Sequence, residues 1–150
     1  MNAFPGIISE EIIRALSYLG ESCVRAIRDR SADDSWYDRT GNLRSSIGYA
    51  VIEDGRKIIE SAFPEVKATA KEGAAAGKKM IDELAKEYAR TYALVVVAGM
   101  EYAEYVEAMK NKDVLASTEV WAKSKIKDYL IKARERAYGK ILKLQTQLGL

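Results

Sequence analysis

Ile47-Gly48-Tyr49-Ala50-Val51-Ile52-Glu53-Asp54-Gly55-Arg56-Lys57-Ile58-Ile59-Glu60 is the segment that most constrains the fold class. Ile47, Tyr49 and Val51 alternate with Gly48 and Ala50, the two-residue period of a strand. Asp54-Gly55 is a strong hairpin turn. Lys57-Ile58-Ile59-Glu60 supplies the return strand. A β-hairpin from Ile47 to about Ser61 therefore sits between flanking segments of helical spacing, and the chain reads as α+β.

Upstream, Ile8, Ile12, Leu16, Leu19, Cys23 and Ile27 recur at three- and four-residue steps. That spacing predicts one helical face over about Ser9 to Arg30. Ser9 suits an N-cap, and Glu10 and Glu11 follow where the helix dipole favours negative charge. Residues 1–8 read as an N-terminal arm. Residues 31–42, rich in Ser, Asp and Gly, read as a loop. Asp33, Asp34 and Asp38 lack the ordered spacing of a calcium loop, so a solvated acidic loop is expected. Trp36 and Tyr37 are unusual in so polar a setting. They are either an anchor folded back on the domain or a contact for a partner.

Downstream, residues 65–91 read as a helical insertion, entered through Pro64. Its strongest part is Lys78 to Arg90, where Ile81, Leu84, Ala85 and Tyr88 share a face and Asp82 can pair with Lys86. Gly73 and Gly77 weaken its first half by about 1 kcal/mol each relative to alanine, which suggests an arm that orders on assembly. Tyr92 to Ala98 is a short β-branched run, expected as a strand packed on both faces beside the hairpin. Val114-Leu115 suggests a further short strand. A last helix is expected from Ser117 or Thr118 to about Leu144, with Ile126, Leu130, Ala133, Ala137, Ile141 and Leu144 as its stripe. Tyr129 and Trp121 widen it. The whole is one domain: long N- and C-terminal helices on a small, mostly antiparallel sheet containing the hairpin, with a helical insertion.

Composition narrows the function. The 150 residues, 48% hydrophobic and 31% charged, suit a single core. Histidine is absent, which removes the commonest general base and metal ligand. Ser-His-Asp and Cys-His nucleophile systems and Cys/His zinc sites go with it. Cys23 is the single cysteine, so no intrachain disulfide forms, and it falls on the apolar side of the first helix. No stretch is long and apolar enough to span a bilayer, and residues 1–6 lack the pattern of a signal peptide.

Three clusters invite a functional reading. Gly73-Ala74-Ala75-Ala76-Gly77-Lys78-Lys79 lacks the glycine spacing and the Ser or Thr of a phosphate-binding loop. Glu101, Glu104 and Glu107 are spaced to share a helical face. No second cluster completes a metal or acid–base site with them, so an acidic edge, solvated or between subunits, is expected. Net charge is only +2, yet eight basic residues between Lys123 and Lys143 are opposed by Asp128 and Glu135 alone. That helix face is either solvated surface or a meeting place for phosphates or an acidic partner.

Thr40-Gly41-Asn42-Leu43-Arg44-Ser45-Ser46-Ile47 and, about sixty residues later, Tyr102-Ala103-Glu104-Tyr105-Val106-Glu107 carry a family resemblance. The first resembles a "thr-gly-asn-leu-arg-x-ser-ile" signature, and the second is similar to a "tyr-ala-x-tyr-val-glu" segment. Both belong to the neck and tail-completion proteins that join head to tail in long-tailed bacteriophages. The two motifs occur in family order, between an N-terminal helix and a long C-terminal one. After Glu107 the chain runs into Ala108-Met109-Lys110, where many relatives carry a gly-thr pair.

The resemblance implies a structural virion protein and no enzymatic activity, cofactor or metal. Copies would form a ring at the head–tail junction, assembled in the host bacterial cytoplasm. The ring would touch portal or adaptor proteins on one side and tail proteins on the other, and pass DNA with weak, salt-dependent contacts, with Lys123, Lys127 and Arg134 the candidates to face it if a basic face lines the lumen. Trp36, Tyr37, Glu101, Glu104, Glu107 and Trp121 are the candidate subunit contacts. A tail terminator or tail-tube-associated protein is the near alternative. A small nucleic-acid-binding module using the basic helix is the alternative of another class.

Overall fold

The computed structural model describes residues 4–29, 45–63, 71–98 and 116–149. In chain order these form α1 (Phe4–Asp29), β1 (Ile47–Glu53), β2 (Arg56–Glu60), α2 (Lys71–Ala85), β3 (Tyr92–Ala98) and α3 (Ala116–Leu148). The three strands form one antiparallel sheet in the order β2-β1-β3. The α+β class and the hairpin are as expected.

The parity of β1 builds the layers. Ile47, Tyr49 and Val51 point to one face and pack with Leu16, Val24 and Ile27 of α1, joined by Leu94, Val96 and Ala98 of β3. Ala50 and Ile52 point to the other face and meet Ala74, Ile81 and Ala85 of α2, joined by Ala93, Val95 and Val97. Successive strand residues alternate in direction, so one run of seven residues holds helices on both sides. Each fully buried Leu, Ile or Val contributes about 1.5–3 kcal/mol. α3 covers α1 from outside and runs antiparallel to it, with Glu11 beside Arg136 and Tyr18 beside Tyr129.

The turn matches its chemistry. Asp54 and Gly55 both take positive φ, 54° and 80°, as a two-residue turn of this hand requires. Its tip is docked: Asp54 N–H donates to the Thr91 carbonyl (3.0 Å), Gly55 N–H donates to the Tyr88 carbonyl (3.0 Å), and Asp54 Oδ1 accepts from Arg90 N–H (2.9 Å). β2 is exposed along its length and carries an extra residue opposite Val51/Ile52, a bulge on the edge strand.

Several boundaries differ from the sequence reading. α1 begins at Phe4, with Pro5 in its first turn, so residues 4–8 are helix and not arm. Ser9 is therefore inside the helix and caps nothing. Its hydroxyl donates to Glu53 Oε1 (3.0 Å), which also accepts from the Tyr92 hydroxyl (3.2 Å).

α2 spans Lys71–Ala85, earlier than the segment expected to be strongest. Gly73 and Gly77 are buried in it, and Gly77 brings its backbone against Phe63 and the Ser46 carbonyl. Asp82 pairs with Lys57 of β2 and not with Lys86, which lies beyond the helix end. Asp82, then Glu60, raises the Lys57 ammonium pKa above its ordinary value. β3 is packed on both faces as expected, although its Tyr92 end is exposed. α3 matches its expected start within two residues and runs four residues past Leu144.

Candidate functional site

The seam between α1 and α3 holds the most developed polar arrangement among the described residues. Glu11 is fully buried. Arg136 Nε donates to its Oε2 (2.8 Å), the Lys140 ammonium sits against its Oε1, and Arg14 Nη1 lies 3.7 Å from the same oxygen. Lys140 and then Arg136 hold the Glu11 carboxyl below the usual carboxylate range, against the opposing effect of burial. One carboxylate thus organises three cations, a local excess of positive charge that a buried acid keeps in place.

A cleft of about 490 Å³ opens beside this cluster, lined by Arg14, Ala15, Tyr18, Tyr129, Lys132 and Arg136. Tyr18 and Tyr129 meet with ring centroids 5.8 Å apart and planes tilted by 52°. Local spacing explains the lining. Arg14 and Tyr18 are one turn apart on α1, and Tyr129, Lys132 and Arg136 follow at steps of three and four on α3.

A second feature lies on the outer surface of α3. Val120, Ile131, Tyr138 and Leu142 are 71%, 38%, 55% and 64% exposed. Their steps of eleven, seven and four keep them on one face. Ala133 and Ala137, which are buried, mark the face already used on α1.

A third feature is a largely apolar groove of about 440 Å³ beside β3. Leu19, Cys23, Leu94, Val96, Ala122 and Ile126 are among its lining. Cys23 is 1% exposed, and burial raises the pKa of its thiol. A thiol reagent is expected to leave Cys23 unmodified in the native protein and to modify it fully in denaturant. Timed labelling across a denaturant series checks this, and rapid native labelling would contradict it.

The residues singled out from sequence separate into two groups. Thr40, Gly41, Asn42, Leu43, Arg44, Trp36, Tyr37, Glu101, Tyr102, Ala103, Glu104, Tyr105, Val106 and Glu107 lie outside the described residues, as do Asp33, Asp34, Asp38 and Val114-Leu115. Trp121, Lys123, Lys127 and Arg134 lie on α3 and are exposed. Lys123 pairs with Glu119 one turn away (2.9 Å). Lys127 and Arg134 lie on a different flank of α3 from Lys132 and Arg136, by the helical period of about 100° per residue.

The basic run therefore does not act as one face. Part of it is drawn into the seam by Glu11, and that part was not singled out from sequence. Its only local signal was an acidic residue, Glu11, within one turn of Ile8 and Ile12 on the apolar side of α1. Comparison with known protein families, curated proteins and solved structures finds no match. Among the described residues no helix is long and apolar enough to cross a membrane.

Proposed function

We propose that the chain is a structural subunit of a bacteriophage head–tail junction, assembled as a ring that joins portal or adaptor proteins to the tail and lets DNA pass. The observation that carries this reading is the second, outward face of α3, on which large apolar side chains are interspersed with Lys127 and Arg134. A helix of 33 residues spans about 50 Å at about 1.5 Å per residue, and one of its faces is taken up by α1. The face of Val120, Ile131, Tyr138 and Leu142 is bare among the described residues. Large apolar side chains repeated along an exposed helix favour association. A repeated heterologous contact between identical subunits closes into a ring when its rotation allows. The ordered pair of motifs in residues 40–47 and 102–107 adds the phage neck and tail-completion setting. The role is assembly and not catalysis.

The test is the mass of the purified chain by light scattering across concentration, with negative-stain images of the product. A closed oligomer is expected, and Ile131→Lys with Leu142→Lys should reduce it to monomers while leaving the fold intact. Copy number in gradient-purified virus particles tests the position. About one ring per particle fits the junction, and hundreds of copies fit a tail tube. A chain that stays monomeric at high concentration and is absent from particles overturns the proposal.

A further inference from the structure

We propose that the cleft between α1 and α3 is a binding site for nucleotide phosphates, with Arg14, Lys132 and Arg136 holding the phosphate and Tyr18 offering its ring to the base. The inference stands on its own observations and does not depend on ring assembly.

Three features argue for a preformed site. The first is a local excess of positive charge that one carboxylate only partly offsets. Arg14, Arg136 and Lys140 share the single carboxylate of Glu11, and Lys132, which lines the same cleft, has no ion-pair partner among the described residues. The second is orientation. Glu11 accepts from Nε of Arg136, which fixes the plane of the guanidinium and leaves both of its NH₂ groups for another acceptor. A fixed planar fork suits bidentate recognition of phosphate oxygens.

The third is the aromatic pair at the mouth. Tyr18 is 66% exposed although it packs at a tilt against Tyr129. A tyrosine held by its neighbour and open on the other side is a platform on which a base can stack. Phosphate-binding cations interleaved with aromatic rings are the usual composition of surfaces that bind unpaired nucleic acid. A phosphate with a base occurs both in a nucleic-acid strand and in a free nucleotide, and both present the chemistry this cleft would recognise.

The experiment is fluorescence anisotropy of the full chain with a labelled oligothymidylate of about 20 nucleotides, longer than the site of a single-strand binding fold, across a salt series. Unlabelled thymidine monophosphate and inorganic phosphate serve as competitors. Arg14→Gln with Lys132→Gln is compared with Lys71→Gln with Lys79→Gln on α2. Both pairs remove two exposed positive charges, but only the first lies in the cleft.

The cleft pair is expected to weaken binding at least tenfold near 0.1 M salt. It should also flatten the dependence of log K on log salt by about 1.4, since each phosphate left unneutralised on a single strand accounts for about 0.7. The control pair should change binding less than threefold. Tyr18→Ala should weaken the oligonucleotide while leaving competition by inorganic phosphate unchanged. Displacement by millimolar thymidine monophosphate identifies a free nucleotide as sufficient ligand, and displacement by oligonucleotides alone identifies the strand. Equal losses in the two charge pairs, or no binding by the native chain, would overturn the proposal. Unfolding midpoints of each variant separate lost binding from lost folding.

Discussion

Glu11→Gln is expected to destabilise the protein by about 2–3 kcal/mol at neutral pH, lowering the thermal midpoint by about 6–9 °C. The substitution keeps shape and removes one charge. Arg14, Arg136 and Lys140 then face one another without the carboxylate that draws them together. Breaking a fully buried pair costs about 3–5 kcal/mol. Here the two closest cations are 43% and 42% exposed and retain part of their hydration, which places the cost below that range.

The pH dependence has a definite sign. The Glu11 carboxyl is held below its ordinary value of 4.5 in the folded state. Its contribution is therefore fully present above that value and is lost as pH falls through the lower, folded value. Chemical denaturation at neutral pH and at steps down into acid should show the native and Glu11→Gln proteins converging at the acid end. Glu10→Gln, an exposed neighbour, should shift stability by less than about 0.5 kcal/mol. A gap between native protein and Glu11→Gln that stays constant through the acid range would refute the assignment.

Gly77→Ala should destabilise by about 2 kcal/mol although it improves the helix. Alanine gains about 1 kcal/mol over glycine in a helix interior. A Cβ at this position, however, would sit 2.6 Å from the Ser46 carbonyl oxygen and 2.7 Å from Cδ1 of Phe63. The carbonyl belongs to the backbone and cannot rotate away. The Phe63 ring cannot retreat either, because it also lies against Gly48 on β1. Overpacking of this kind costs about 3 kcal/mol at its upper end. Gly139→Ala supplies the opposite case, since nothing lies within 4 Å of its added Cβ. It should stabilise by up to about 1 kcal/mol. Thermal scans of both variants decide the matter, and stabilisation by Gly77→Ala would show that α2 does not press on the sheet at that point.

The contrast between these glycines marks the limit of local signals. Helix propensity treats Gly77 and Gly139 alike, because it counts the cost within the helix itself. Whether a glycine is a defect or a point of close approach depends on what lies across from it, and Phe63 and Ser46 come from a different part of the chain. The same limit applies to Ser9. Hydroxyl residues before an apolar run suit a cap, yet the acceptor Ser9 finds is Glu53, on a strand that folds beside it. Pro5 was the better boundary signal, since proline suits a first helical turn.

Elements with local signals were legible in the amino-acid sequence. The two-residue alternation with Asp54-Gly55 is enough for the hairpin, and the three- and four-residue steps of α1 and α3 are enough for two amphipathic helices. Together they specify α+β. The burial of Cys23 followed from its place in that periodicity. Packing, by contrast, determines that β1 is the central strand, that α2 and α1 take opposite faces of the sheet, and which cations meet which acid. Glu11 and Arg136 are 125 residues apart, and no local pattern relates them. Their meeting follows from the register at which α1 packs on α3, which the apolar side chains of the two helices set together. That register divides the basic run of α3 into residues organised around Glu11 and residues left in solvent.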